Sequence, residues 1–277
     1  MPGIDGGTSG SGLDRRVVSG EILRMLSAVT KRLFLLAGVV SAAVAARGDN
    51  AMPHDQWPTN EFEFARLIYN DGGYCPWGQD CYTVDFPDAE YFFHKGVSRL
   101  TRVDMASRGV MIDLGRDSLF DYPWLYAVEV GYWRLSDYDA ERLREYLLRG
   151  GFLMVDDFHG SSQWASFMES MTRVFPDRPV VDIEDAAEVF HVVYALDERI
   201  QIPGIRALYN GVTYEYDGVE PHWRGIYDDQ GRLMVMINHN MDLGDSWEHA
   251  DDPEYPQEMT TLGLRFAVNY VIYAMSH

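Results

Sequence analysis

The sequence is poor in basic residues, and this shortage limits the partners that the chain can have. Of its 277 residues, 23 are lysine or arginine and 43 are aspartate or glutamate, so the formal net charge is −20. Nucleic acids and anionic lipids bind to basic patches, so we predict neither as a partner. The negative charge is compatible with a solvated secreted surface, with bound cations or with a neutral ligand.

Cysteine is also scarce, since it occurs only as Cys75 and Cys81, separated by the segment P-W-G-Q-D. In an exported protein, such a pair predicts a disulfide that closes a small loop. A metal site built on this pair would need further cysteine or histidine residues close by in the sequence, and there are none. A nucleophilic cysteine is disfavoured as well, because an oxidising compartment would pair it.

One apolar run near the N terminus has the form of an export signal. Lys31 and Arg32 precede the apolar residues 33–45, which end in the small-residue sequence A-V-A. The run is shorter than the ~20 residues that a membrane-spanning helix needs, which disfavours a membrane anchor. We therefore predict a signal peptide over residues 1–45, cleaved after Ala45, and a periplasmic or secreted protein.

The rest of the chain divides into a tether and one domain. Met25 would be a more ordinary start for such a signal, so residues 1–24 are either a mis-assigned start or a disordered segment. Residues 46–60 contain two prolines and no periodicity, which is typical of a tether. Residues 61–277 suffice for one sizeable α/β domain. No later stretch is long and apolar enough to span a bilayer, so we predict no integral membrane span after cleavage.

Strand-like and helix-like patterns alternate along the predicted domain. Apolar runs predict strands over residues 62–69, 108–114, 124–130 and 152–155, and helical periodicity predicts helices over residues 88–102, 136–147 and 161–174. This alternation predicts an α/β fold with a mainly parallel, doubly wound sheet. Residues 225–227 and 233–237, joined by the turn D-Q-G, predict a C-terminal β-hairpin, and a final helix follows from about Thr260.

The stretch G-G-F-L-M-V-D-D-F-H-G, residues 150–160, is the most informative part of the sequence. Its apolar run predicts a buried parallel strand that ends in Asp156, Asp157 and His159. Ligands of open α/β sheets bind at the carboxyl ends of strands, so we predict Asp157 and His159 as catalytic residues. The alternative is that Asp157 or Ser161 only caps the helix that follows.

Polar residues also follow the other predicted strands. Asn70 and Asp71 come after the first strand, Glu129 after the third, and Asn238 with His239 after the strand of the hairpin. Because parallel strands end together, we expect these residues at one edge of the sheet. The predicted ligand-binding set is Asn70, Asp71, Tyr74, Trp77, Glu129, Tyr132, Trp133, Asp156 and Asn238. Core packing is the alternative for any single aromatic residue among them.

Three functions are compatible with this predicted edge. The first is a binding module for a small polar or glycan-like ligand, held by aromatic faces and by Asp and Asn side chains. The second is a hydrolase that uses a divalent metal bound by Asp156, Asp157, His159 and His239, a mixed set that suits zinc or manganese. No H-E-x-x-H spacing supports this metal site. The third is a structural role in a cell-envelope assembly, with another envelope protein as partner.

Several ordered segments resemble the DUF4159 family, a group of bacterial proteins without an established activity. They are F-A-R-L at 64–67, L-F-D-Y-P-W-L-Y at 119–126, L-R-E-Y-L at 143–147, G-G-F-L at 150–153 with Asp156 and Asp157, R-V-F-P at 173–176 and W-E at 247–248. The resemblance covers nearly all of residues 62–277. It implies a flavodoxin-like fold similar to that of the class I glutamine amidotransferase group.

The resemblance in fold does not imply the catalytic chemistry of the amidotransferases. Those enzymes need a cysteine on the turn between a strand and a helix, activated by a histidine and an acid. The corresponding kind of turn, residues 156–160, has neither cysteine nor serine, and no G-x-S-x-G surrounds Ser161 or Ser162. We therefore exclude glutamine amidotransferase activity.

Overall fold

Seven strands form one mixed sheet in the computed structural model, which describes residues 60–277. The strands are β1 Ala65–Ile68, β2 Val110–Asp113, β3 Trp124–Val128, β4 Phe152–Asp156, β5 Val181–Asp182, β6 His222–Tyr227 and β7 Leu233–His239. Their order across the sheet is β2-β1-β3-β4-β7-β6-β5. The predicted signal peptide and the predicted tether up to residue 59 lie outside the described residues.

Most neighbouring strands of this sheet run parallel. β1 pairs with β2 and with β3, β3 pairs with β4, and β4 pairs with β7, all in parallel. The hairpin of β6 and β7 is antiparallel, and β5 adds an antiparallel edge. The predicted hairpin therefore extends the sheet, with β7 placed beside β4. The carboxyl ends of β1, β3, β4 and β7 consequently lie at the same edge.

Helices cover both faces of the sheet. They are α1 Asp88–Leu100, α2 Asp137–Leu148, α3 Gly160–Val174, α4 Ile205–Tyr209, α5 Leu243–Glu248 and α6 Gln257–Ser276. Side chains of α1, α5 and α6 pack in one apolar core, and those of α2 and α3 pack in the other. The fold is thus α/β and flavodoxin-like, as predicted. Among residues 60–277, no helix is both long enough and apolar enough to cross a membrane.

The two cores follow from the two-residue period of the strands. In β3, Trp124 and Tyr126 point into the core of α1 and α6, whereas Leu125 and Ala127 point into the core of α2 and α3. All five residues of β3 and all five of β4 are buried. Strands that are covered on both faces read as continuous apolar runs, which explains why the sequence predicts them well.

The N terminus of α3 is stabilised by loops that are distant in the sequence. The backbone N–H of Gly160 donates to Asn240 Oδ1 at 2.8 Å, and that of Ser161 donates to Asp217 Oδ1 at 2.9 Å. The residue before the helix is His159, whose side chain makes no capping bond. The capping role considered for Asp157 or Ser161 is therefore wrong, because other loops satisfy these donors.

Candidate functional site

A cavity of about 380 Å³ opens at the carboxyl edge of the sheet. Seven carboxylates line it, from Asp85, Glu129, Asp157, Glu215, Asp242, Asp245 and Glu248. Trp77, Gln79, Val84, Ile205, Arg206 and His249 complete the wall. We call this space the acidic cavity. Its position agrees with the general rule for ligand sites in open α/β sheets.

Three of the cavity acids adopt a backbone conformation that side chains disfavour. Asp85, Glu129 and Asp157 have φ angles of 64°, 54° and 49°. Glu129 follows β3 and Asp157 follows β4, so the chain turns sharply where each strand ends. Residues with a side chain rarely occupy this left-handed region, and each such residue costs ~1–3 kcal/mol. Strain of this kind is typical of functional sites.

Asp85, Asp157 and Asp242 form a compact group that we call the aspartate triad. One carboxylate oxygen from each lies within 4.8 Å of the other two. Asp157 Oδ1 lies 3.0 Å from His159 Nε2, and Asp242 Oδ1 accepts a 2.8 Å bond from the Asp245 N–H. Asp85 Oδ2 is buried and has no hydrogen-bond partner within residues 60–277.

The electrostatics of the triad are unfavourable for three bare carboxylates. Burial raises the pKa of Asp85, Asp157 and Asp242 well above the usual range, and neighbouring acids raise it further. Both effects disfavour the charged form. A cation between the three oxygens would offset the repulsion and neutralise the buried Asp85 carboxylate, so the arrangement has the chemistry of a metal site.

A second group, Asp245, Glu248 and His249, lies on α5 and on the residue after it. Their potential ligand atoms also lie within 4.8 Å of one another. His249 Nε2 is 3.6 Å from Asp245 Oδ1 and 3.6 Å from Glu248 Oε2. Burial and the neighbouring Asp245 raise the pKa of Glu248 to about 7. Asp245 Oδ2 also accepts a 2.6 Å bond from the Ile205 N–H, which links α5 to α4.

The disulfide loop supplies the aromatic wall of the cavity. Cys75 and Cys81 are bonded, with Cα atoms 5.3 Å apart, which confirms the predicted disulfide. Trp77 lies in this loop, and its Nε1 donates to Glu129 Oε1. The Arg206 guanidinium lies 4.2 Å from the centroid of the Trp77 ring. Burial raises the pKa of Glu129 to about 8, although the bond from Trp77 acts in the opposite direction.

A larger depression of about 660 Å³ lies near the end of α6, between Tyr227, Arg232 and Tyr273. There Arg232 is fully engaged, because it pairs with Asp228 at 3.1 Å and donates to the Gly151 carbonyl at 3.0 Å. This depression lies at the amino end of β7, away from the carboxyl edge, and none of its lining residues belongs to a group of potential metal ligands in the described part of the chain. The acidic cavity is therefore the candidate site.

Comparison with known proteins identifies the family. A family model described as "Domain of unknown function (DUF4159)" matches residues 63–275. The chain belongs to the DUF4159 family. No curated protein matches it. The family match confirms the resemblance found in the sequence. The description of the family names no activity.

The DUF4159 chain brings three of the predicted site residues to the cavity, namely Trp77, Glu129 and Asp157. Two others lie directly behind it. Asp156 is fully buried and its Oδ2 accepts bonds from the N–H groups of Leu243 and Gly244, so it fixes the start of α5. His159 is 4% exposed and contacts Asp157.

Other predicted ligand-binding residues have structural roles in the DUF4159 fold. Asn70 and Asp71 accept backbone bonds from Gly72 and Gly73 and so stabilise a turn. Trp133 lies in the core rather than in the crevice, where it stacks on Phe167. Asn238 is fully buried, where it donates to the Val155 carbonyl and accepts a bond from the Tyr270 hydroxyl. Tyr74 and Tyr132 lie at the surface, 6.4 Å apart by ring centroids.

The predicted metal set is not brought together. Of Asp156, Asp157, His159 and His239, only Asp157 belongs to a group of potential ligands in the described part of the chain. The His239 ring packs at a tilt against Phe158 and Trp164, and its Nδ1 lies 3.4 Å from an Arg224 nitrogen. Burial lowers the pKa of His159 to about 3, so its imidazole is neutral.

Sequence reasoning missed most of the cavity acids. The run D-L-G-D-S-W-E-H, from Asp242 to His249, places acids three residues apart on one face of a short helix, and this spacing was a usable signal. Asp85 and Glu215 come from irregular loops. No local pattern marks them, because their role depends on where the loops fold.

Proposed function

We propose that this protein is a metal-dependent hydrolase whose divalent cation is bound by Asp85, Asp157 and Asp242. The observation that carries the proposal is the triad itself, with three oxygens within 4.8 Å and Asp85 Oδ2 buried without a partner. All-carboxylate sites suit hard cations such as Mg²⁺, Ca²⁺ and Mn²⁺. This set replaces the mixed histidine site expected from the sequence.

The surroundings of the triad support hydrolysis in addition to binding. A cavity of about 380 Å³ leaves space for part of a substrate beside the ion. A cation held by the triad would polarise the scissile bond and lower the pKa of a coordinated water. A cavity carboxylate would take the proton of the attacking water, and a protonated acid would give one to the leaving group. Glu129 and Glu215 line the same space and are the candidates for these transfers.

The proposed site of action is outside the cytoplasm. The signal-like N terminus of the sequence and the Cys75–Cys81 bond support this placement, because disulfides persist in oxidising compartments.

Metal binding is the first test. The metal-stripped full chain should bind Mg²⁺, Ca²⁺ or Mn²⁺ in calorimetry, and the Asp85→Asn and Asp157→Asn variants should lose this binding. Glu141→Gln is the matched control, since Glu141 is an exposed acid on α2, on the opposite face of the sheet. A native chain that binds none of these ions, or triad variants that bind as well as the control, would rule out the site.

Turnover is the second test. The metal-loaded chain should hydrolyse at least one member of a panel of glycoside, ester and phosphoester substrates, and chelation should abolish that activity. Metal binding without metal-dependent hydrolysis would reduce the site to a structural one. A chain that binds neither metal nor substrate would instead support a structural role in the cell envelope.

A further inference from the structure

We propose that Tyr74, Tyr132 and Tyr216 form a platform that binds a neutral saccharide chain at the entrance of the acidic cavity. This inference rests on the proposed function for its catalytic part, because it makes a glycan the substrate class of the hydrolase. Its binding part rests on residues that do not belong to the aspartate triad. We call these three residues the tyrosine platform.

The platform is assembled from three separate loops. Tyr74 lies in the loop after β1, Tyr132 in the loop after β3, and Tyr216 in the segment before β6. The ring centroids of Tyr74 and Tyr132 are 6.4 Å apart, and Tyr216 is close enough to Tyr132 to help raise the pKa of its hydroxyl, although burial is the larger cause. Tyr74 is 68% exposed and Tyr216 is 62% exposed, so their ring faces are available to a ligand.

Each of the three tyrosines is held in place, although only Tyr132 is half-buried and the other two are exposed. Tyr74 precedes the disulfide-bonded Cys75. The Tyr132 hydroxyl accepts a 3.1 Å bond from Gln163, a buried residue of α3. Tyr216 has a φ of 50°, a conformation that bulky residues rarely adopt. The neighbouring Asp217 fixes this turn by accepting the bond from Ser161. Rings that are ordered in advance lose little entropy when a ligand binds.

The platform is continuous with the acidic cavity. Trp77 lies three residues after Tyr74 in the same loop, Glu129 three residues before Tyr132, and Glu215 directly before Tyr216. All three of these neighbours line the cavity. A chain bound across the rings can therefore place one unit beside the aspartate triad.

The chemistry of the surface selects a neutral saccharide among extended ligands. Aromatic faces pack against the C–H faces of sugar rings, and phenol and amide groups bond their hydroxyls. Bases of nucleic acids also stack on aromatic rings, but their phosphates would be repelled by the net charge of −20 that the protein carries. The same repulsion excludes polyanionic glycans.

The test is equilibrium binding of defined oligosaccharides to the full chain, measured by calorimetry with chelator present. The probes are hexaoses of β-1,4-linked glucose, xylose and N-acetylglucosamine and of α-1,4-linked glucose, with oligogalacturonate as the anionic comparison and an arginine-rich peptide as the cationic one. We expect at least one neutral hexaose to bind and oligogalacturonate to bind far more weakly. Failure of all four neutral hexaoses at millimolar concentration, or binding of the peptide alone, would overturn the proposal.

Substitutions then locate the binding surface. Tyr74→Ala and Tyr216→Ala should each weaken hexaose binding roughly tenfold, and Tyr74→Phe should retain most of it because the ring remains. Tyr138→Ala is the control, since Tyr138 is 56% exposed on α2. Equal affinity of the alanine variants and the control would show that the ligand binds elsewhere.

The two proposals fail independently. Asp157→Asn should abolish metal binding while the chain still binds a hexaose in chelator, whereas Tyr216→Ala should weaken hexaose binding and retain metal binding. A chain that binds a hexaose but binds none of the divalent cations would refute the hydrolase and leave a glycan-binding module. Metal-dependent hydrolysis of a substrate other than a saccharide, with no hexaose bound, would refute the platform.

Discussion

Asp85 combines high burial, positive φ and an oxygen without a partner, so it carries an energetic cost in the metal-free protein. Asparagine has nearly the same shape but no charge. Asp85→Asn should therefore raise the free energy of unfolding in chelator by on the order of 1 kcal/mol, as removal of repulsion at functional sites often does. The same variant should lose the stabilisation that Ca²⁺ or Mn²⁺ gives to the native chain.

Thermal unfolding with and without each ion measures both effects. Glu141→Gln should change neither, because Glu141 is solvated and outside the cavity. A less stable Asp85→Asn protein that still responds to the ion would contradict the role assigned to this carboxylate.

His159 is a positioning residue for Asp157. Its Nε2 lies 3.0 Å from Asp157 Oδ1, and the pair is buried. Loss of a residue that orients a metal ligand typically weakens metal binding 10–100-fold. We expect His159→Ala to weaken binding of Mn²⁺ by about this factor and to leave the one-to-one stoichiometry intact. An unchanged dissociation constant would show that Asp157 is held by its backbone alone.

At the scale of elements, Asp156 connects β4 to α5. Its Oδ2 accepts bonds from the Leu243 and Gly244 N–H groups at 2.7 and 3.0 Å, at the N terminus of that helix. Asp156→Ala would leave two buried donors unpaired, at ~1–3 kcal/mol each. We therefore expect the free energy of unfolding to fall by about 3 kcal/mol, measured in urea.

Asp156→Asn provides the comparison for this link, because its amide oxygen can still accept from the same donors. It should lose clearly less stability than the alanine variant. Equal losses would mean that the charge of Asp156, rather than its acceptor geometry, fixes α5.

Strands that are buried on both faces, and helix ends that are fixed by local bonds, could be predicted from the sequence. Elements whose formation depends on contacts with distant parts of the chain could not. The capping box of Ser136 and Asp139 at the start of α2 was readable, since both bonds are local. The short segments at 192–194 and 200–202, rich in β-branched residues, form no strand. The short helix α5 was missed, although its acids build much of the site.

Prediction of the candidate site from the sequence has the same limit, because only residues next to predicted strands could be placed. Glu129 and Asp157 could be predicted because they follow strands whose ends must meet. Asp85 and Glu215 could not, since each reaches the cavity through an irregular loop. Side chains such as Trp133 were assigned to the crevice because sequence position does not say which face of a turn an aromatic ring will cover.

For the whole molecule, the buried acids predict an unusual pH dependence of stability. Burial raises the pKa of Glu129 to about 8 and that of Asp156 to about 7, whereas the unfolded values are ~4. Between pH 8.5 and 6.5, the folded chain therefore takes up protons that the unfolded chain does not. Stability should rise as the pH falls through this window, by on the order of 1 kcal/mol per pH unit for each proton bound.

The histidines do not oppose this trend within the window. Burial lowers the pKa of His159 to about 3 and that of His239 to about 4, so these groups begin to destabilise the fold only below the unfolded value of ~6.5. Denaturant unfolding at several pH values, in chelator, measures the trend. Stability that is flat or rises toward pH 8.5 would show that these carboxylates are ionised at little cost.

A divalent cation should oppose this dependence, because metal and protons compete for the oxygens of the aspartate triad, whose pKa values burial also raises. With saturating Ca²⁺ or Mn²⁺, the gain in melting temperature should be larger at pH 8.5 than at pH 6.5. Sodium chloride at matched ionic strength controls for screening of the net charge of −20, which any salt provides. If sodium chloride reproduces the whole gain in melting temperature, the stabilisation comes from screening of surface charges. If the gain requires the divalent ion and disappears in the Asp85→Asn variant, it comes from metal binding at the aspartate triad.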